Sequence, residues 1–329
     1  MKRVSRYQEK AEFGALITLI TGALCTGGAS ILVRLSETGP TATAFWRGCL
    51  ALPLLALWAL FDTGAPTGRR SGLARRATFI ISSFRDPGFL WAGAFFAADL
   101  ALWHWSLMLT SVAVSTLEAS LAPIAVTLIV WLLWRERPNA RFVLATGLAL
   151  TGMVLIVSPK LGHGGPAFAG DALGLGTAVF YAAYILAVAG LRARYGTGTV
   201  MFNLTLAFTV FLLPLALTQK FTPDTLYGWA IVAACAVAAQ VLGQGLIAYA
   251  LAHLRPTFSS LGLLVQTLGA STSAWLVLGE RLSVVQIVGG LVIIGAIAMA
   301  RAARQPTTYA PEEQATVPVA AESLGVVRD

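Results

Sequence analysis

"TLIVWLLWRERPNARFVLATGLALTGMVLI" occupies residues 127–156, and "STSAWLVLGERLSVVQIVGGLVIIGAIAMA" occupies residues 271–300. Both texts run from an apolar stretch through a Glu-Arg turn into a second apolar stretch. Glu136-Arg137 aligns with Glu280-Arg281, and Gly147 and Gly152 align with Gly290 and Gly295 after one deletion. About 20 apolar residues in a helix cross about 30 Å of hydrocarbon. Each copy therefore reads as one spanning helix, a tight polar turn and the next span. Similarity at a fixed separation marks an internal repeat.

Breaks at charges, prolines and glycine clusters divide the rest of the chain the same way. Ten helices are expected, over residues 13–33, 42–61, 88–109, 112–134, 142–158, 171–191, 199–218, 227–250, 257–278 and 284–301. Each half then holds five, and an odd number brings the second copy into the membrane from the opposite side. Inverted repeats of this kind place a substrate site near the midplane, between the halves. The fold class is all-α integral membrane: ten transmembrane helices as two inverted five-helix repeats. Residues 13–158 form the first repeat and 171–301 the second. Residues 1–12 precede them, 62–87 form a basic loop, and the Ala-, Pro-, Thr- and Glu-rich residues 302–329 form a disordered tail.

Composition agrees. Of 329 residues 57% are hydrophobic and 12% charged, with mean hydropathy +0.75. Soluble domains carry roughly 25% charged residues, so a water-exposed surface is excluded. The net charge of +8 would suggest nucleic acid in a soluble protein. Here the bases sit between apolar runs and act as cytoplasmic anchors, so no nucleic-acid partner is expected. With the N-terminus inside, 18 Lys and Arg fall in inner segments and 4 in outer ones, with Arg47 inside the second helix. Positive charge accumulates on the cytoplasmic side, so both termini face the cytoplasm of a bacterial inner membrane. The basic loop is either a plain topology anchor or a short amphipathic helix on anionic lipid. The apolar run after Lys10 is too long for a cleaved signal peptide. Cys25, Cys49 and Cys235 are isolated in apolar text and form neither a disulfide framework nor a metal site.

The segments "AVSTLEASLAPIAVTLIVWLLWRERP" and "PTFSSLGLLVQTLGASTSAWLVLGERLSVVQIVGG", with "FWRG" in the second helix, resemble the signature repeats of EamA-type transporters of the drug/metabolite transporter superfamily. The resemblance covers about residues 13–301. It implies ten helices, a central cavity, and mostly export of amino acids or other small metabolites. Thr267 departs from it, standing where a proline is usual, which puts the kink of the ninth helix in doubt. Glu118 departs too, at a position expected to be apolar.

Ionisable side chains in a bilayer cost about 3 kcal/mol or more by insertion scales, so each needs a reason. Counting 1.5 Å per residue from the turn near Ser111 puts His104 and Glu118 level at about 10 Å depth. Arg47 lies about 9 Å deep on the same side. These three are expected to form an outer polar cluster, either a structural ion pair or a gate and proton-coupling site. Asp99 lies about 18 Å deep, with no basic residue evident at its level. It either meets a proton or a substrate ammonium group, or is a neutral packing acid. Trp103 shares its stripe and either stacks on substrate or packs. Gln244, Gln266 and Tyr181 reach the midplane as well; the amides either line the cavity or glue helices together. Pro123 frees a carbonyl of the fourth helix. Glu136, His253 and Glu280 sit at helix ends, in solvent.

The leading expectation is a secondary transporter exporting a small polar metabolite, an amino acid above all, by alternating access. Helices three, four and six would rock against eight, nine and one. The alternative is a proton-coupled antiporter of cationic drugs. An intramembrane enzyme is remote: Asp99 and His104 do not share a helix face, no histidines have metal spacing, and no nucleotide loop is present. No cofactor is expected. The expected partners are a small-molecule substrate and membrane lipid, with the chain a monomer or homodimer.

Overall fold

The computed structural model describes residues 2–62, 72–109, 121–135, 138–158, 168–278 and 283–302, and these residues are helical with short connections. In chain order the helices are α1 Lys2–Gly28, α2 Ser30–Leu35, α3 Pro40–Phe61, α4 Leu73–Ser83, α5 Pro87–Leu109, α6 Ala122–Trp134 and α7 Ala140–Val157. Then follow α8 Phe168–Arg192, α9 Thr197–Ala216, α10 Leu226–Ala250, α11 Pro256–Gly262, α12 Val265–Leu278 and α13 Val284–Ala302.

Among the described residues six segments are long and apolar enough to cross a membrane: Glu12–Leu35, Pro40–Phe61, Ala172–Arg192, Thr197–Ala216, Leu226–Ala250 and Pro256–Val277. Four more helices are apolar but shorter: Pro87–Trp103, Ala122–Leu133, Ala140–Ile156 and Val284–Ala300. The protein is thus an all-helical integral membrane protein. Large apolar side chains face outward all round, Leu132, Leu226 and Leu291 among them, as lipid contact requires.

Local chemistry starts these helices. Gly39 leads Pro40 into α3, and Arg255 leads Pro256 into α11; proline at a first helical position lacks only an N–H that would be unpaired anyway. Asn139 accepts a hydrogen bond from the Arg141 amide at 3.0 Å and Thr225 accepts one from the Gly228 amide at 3.0 Å, each at a helix start.

Three elements differ from the plain spans expected. The first span breaks at Ala29, between α1 and α2. The eighth carries a π-helical segment over Ala236–Gln244; such segments are rare and occur mostly at functional sites. The ninth breaks at Leu263-Leu264, between α11 and α12. The doubt raised by Thr267 is thereby answered: the interruption exists without a proline. The basic loop contains α4, which is amphipathic, with Leu73 and Arg75 exposed and Ile80 buried. The tail beyond residue 302 lies outside the described residues.

The principal pairings are α3 with α9, α5 with α8, α7 with α13, α1 with α10 and α12, α5 with α9, and α6 with α8. Gly48 and Gly152 permit two of them. A Cβ on Gly48 would stand 2.2 Å from Thr209 Oγ1, against α9. One on Gly152 would stand 2.6 Å from the Gly289 carbonyl oxygen, and one on Gly289 would stand 2.5 Å from that of Gly152. The other repeat glycines are not all packing positions: Gly147 and Gly295 have open space beside them.

Candidate functional site

The close α3–α9 approach sets Arg47 inside the bundle, 8% exposed. Its Nε and Nη2 donate to Gln240 Oε1 at 3.1 and 3.0 Å, and Gln240 Nε2 donates to Thr205 Oγ1 at 2.9 Å. The guanidinium also lies over the Phe96 ring, 5.5 Å from its centre, a cation–π geometry that gains strength away from water.

Phe96 continues inward as an aromatic ladder. It stacks on Tyr184 at 4.4 Å, and Tyr184 stacks on Tyr181 at 5.8 Å. Both phenols are tied to amides: Tyr184 Oη donates to Gln244 Oε1 at 3.0 Å, and Gln266 Nε2 donates to Tyr181 Oη at 3.1 Å. The π segment of α10 carries Gln240 and Gln244, and Gln266 stands directly after the break between α11 and α12. Irregular backbone at membrane depth is tolerated where it lines a cavity or is buried in protein.

Asp99 lies one turn beyond Phe96 and is 7% exposed. Arg47, Tyr181 and Tyr184 are its electrostatic neighbours. Among the described residues its carboxylate accepts no hydrogen bond and forms no ion pair. Arg47 likewise has no carboxylate within ion-pair distance there. A guanidinium and a carboxyl group are thus buried near one another without a direct contact between them. Buried charges left apart in this way are costly unless something else satisfies them.

Of the residues singled out from sequence, Asp99, Tyr181, Gln244 and Gln266 come together, and Arg47 joins them. Arg47 was grouped with His104 and Glu118 in a buried polar cluster in the outer third of the membrane. Among the described residues its contacts are Gln240 and Phe96; a residue count gives the depth of a Cα and not the reach of a long side chain. It also supplies the base that seemed absent at the level of Asp99. The His104 side chain and Glu118 lie outside the described residues. Trp103 is half-buried on α5, while Trp105 is 43% exposed. Phe96, Tyr184, Thr205 and Gln240 were missed. Two spacings pointed to them: Gln240 is four residues before Gln244, and Tyr184 three after Tyr181, so each shares a helical face with a residue already noted.

The EamA-like transporter family model matches residues 13–158 and 168–302. The chain belongs to the EamA-like transporter family. This EamA-like protein is accordingly a membrane transporter and not an enzyme. The pseudopaline exporter CntI of Pseudomonas aeruginosa, in strains UCBPP-PA14 and PAO1, is 27% identical over 231 residues, spanning 70% of this chain and 80% of the relative. One solved crystal structure of another protein shares the fold at TM-score 0.69 and 18% identity, covering 87% of this chain and 96% of its own.

Proposed function

We propose that this EamA-like protein exports a small zwitterionic metabolite of the amino-acid class by alternating access. The observation that carries the reading is that Arg47 and Asp99 are both buried, near one another and not in direct contact. A carboxylate seated on Arg47 and an ammonium on Asp99 satisfy both charges with a single molecule. A fork-shaped guanidinium suits a carboxylate in particular. Tyr181, Gln244 and Gln266 supply neutral donors and acceptors around the remainder, and Trp103 stands at the margin. His104 and Glu118 keep the gate or proton-coupling role read from sequence. Outward direction draws on the likeness to a pseudopaline exporter.

In this reading the four shorter apolar helices also cross, giving ten spans in two inverted halves of an inner-membrane protein with cytoplasmic termini. The pairing of helices supports inversion. Exchanging the first five spans for the second five maps α3–α9 and α7–α13 onto themselves. It also maps α5–α8 onto α10–α1, and α5–α9 onto α10–α3. Two three-helix groups result, α5/α6/α8 and α1 with α10–α12, which rock against each other about a central site. The cationic-drug alternative fits less well, because a lipophilic cation drawn to Asp99 would meet the charge of Arg47.

Counterflow in proteoliposomes tests this. Vesicles loaded with pooled unlabelled amino acids take up labelled amino acid through the wild type. Arg47→Gln and Asp99→Asn each reduce uptake by at least about tenfold, the loss expected when one buried charge contact of roughly 1.5–3 kcal/mol is removed. Normal transport by Asp99→Asn removes the site assignment. Uptake of amines but not zwitterions by the wild type favours the drug reading.

A further inference from the structure

We infer that α4 is a docking site for anionic phospholipid of the cytoplasmic leaflet, lying flat at the membrane surface and bracing the ends of α3 and α9. The leaflet follows from the topology proposed above; the site itself does not depend on it.

α4 holds 11 residues, about 16 Å of helix at 1.5 Å per residue, roughly half of what a span needs. Its rotation is fixed by contacts on one side. Arg76 Nη1 donates to the Leu60 carbonyl oxygen at 2.9 Å, in the last turn of α3. From α9, the buried Asn203 donates through Nδ2 to the Ile80 carbonyl oxygen at 3.1 Å and to Ser83 Oγ at 2.8 Å. Phe79 meets the Tyr195 ring at 6.2 Å. Arg76, Ile80 and Ser83 share one helical face and are therefore the protein side.

With that side fixed, two further stripes face outward. Leu73, Ala77 and Ile81 follow at four-residue spacing, and Leu73 and Ile81 are 59% and 70% exposed. Arg75, Thr78, Ser82 and Arg85 follow at three- and four-residue spacing, and all of them are exposed. The first stripe is apolar; the second is polar and ends in a cation at either side. No acid stands within α4, and Asp86 after it is taken by Arg194 at 2.7 Å and by the Tyr195 hydroxyl at 3.1 Å. A helix with one apolar and one cationic side lies in the interface, its apolar side among acyl chains and its cations at the headgroups. The occupant is a lipid and not a soluble anion because the two stripes adjoin: one molecule offers acyl chain to Leu73 and Ile81 and phosphate to Arg75 and Arg85. An anionic headgroup suits the arginine forks, whereas a zwitterionic one brings its own cation. Through Arg76 and Asn203, lipid on α4 holds together the helices that carry Arg47 and Thr205.

Spin labels on a cysteine-free full chain, in vesicles of equal parts phosphatidylcholine and phosphatidylglycerol, test the orientation. The label on Ile81→Cys meets dissolved oxygen more than an aqueous nickel chelate, and the label on Thr78→Cys does the reverse. Both labels open to the chelate take α4 off the membrane; both closed to either reagent mean that a second copy or another protein covers it. Each of those results overturns the site. Phosphatidylglycerol titrated into the full chain in detergent raises its thermal midpoint. The double variant Arg75→Gln/Arg85→Gln needs roughly 25-fold more lipid for the same rise, about fivefold for each arginine at an anionic surface. An equal rise with phosphatidylcholine, a rise with glycerol phosphate alone, or an unshifted titration in the double variant overturns the proposal. With the accessibility pattern present, label reaching residue 75 in intact cells overturns the topology and leaves the lipid site standing; loss of the pattern with residue 75 protected does the reverse.

Discussion

Gln240 shows how one neutral amide determines what a buried cation does. Among the described residues both hydrogen bonds of Arg47 end on its oxygen, and its nitrogen donates to Thr205. An amide orients the guanidinium without neutralising it, so the charge stays available. Gln240→Leu removes that acceptor and is expected to lower stability by about 1.5–3 kcal/mol, read as a fall in thermal midpoint in detergent. Gln240→Glu pairs the charge inside the protein; it is expected to hold or raise the midpoint while abolishing counterflow. Glu37 carries a pH dependence. Hydrogen bonds from Thr225, joined by the Asp224 amide, hold its carboxyl below the ordinary 4.5. A lowered acid pKa adds stability above the ordinary value, and that stability is lost as pH falls through the lowered one. The thermal midpoint of Glu37→Gln should therefore lie below wild type at neutral pH and converge with it on acidification below about pH 4.

At the scale of elements, close backbone approach does what hydrophobicity does in soluble cores. Lipid is as apolar as leucine, so helices in a membrane gain by fitting closely, and small residues permit it. Gly152 and Gly289 are such a point between α7 and α13. Gly152→Val forces the pair apart and should cost about 1–3 kcal/mol, whereas Gly147→Val, with nothing beside it, should leave the thermal midpoint unchanged. The repeat aligned Gly147 and Gly152 with Gly290 and Gly295, but that match does not say which are packed, and Gly289 lay outside it. The interruption at Leu263-Leu264 was hard to read, since no proline marks it and Gly262 before it is one of many glycines within apolar runs. It shows only through the backbone hydrogen bonds, which turn to three-residue spacing from Leu261 to Thr267.

For the whole molecule, the serpentine path brings distant loops together at two ends. At one end Gly39 donates to the Lys220 carbonyl at 2.9 Å and Trp46 Nε1 to the Phe221 carbonyl at 2.7 Å. At the other the Gly198 amide donates to Asp62 at 2.7 Å and Arg194 pairs with Asp86 at 2.7 Å. In the proposed topology, which follows the positive-inside bias, the second end is cytoplasmic. Single cysteines at Arg75 and Glu37, labelled in intact cells with an impermeant maleimide on a cysteine-free background, should separate the two. Label at position 37 and protection at 75 is the expected pattern; the converse reverses the topology.

The sequence by itself determined the class: residues too apolar for water, repeated about a Glu-Arg turn, have few solutions except helices across a bilayer. It also singled out Arg47 and Asp99, both buried in the structure, because hydropathy and charge are properties of the chain taken locally. What only the tertiary structure decided is which of those residues meet. Arg47 gained the company of Asp99, and Gln240 and Tyr184 joined them, through helix rotation, side-chain reach and a π-helical register. Those three quantities arise from packing one helix on another, and a linear count along a single helix does not contain them.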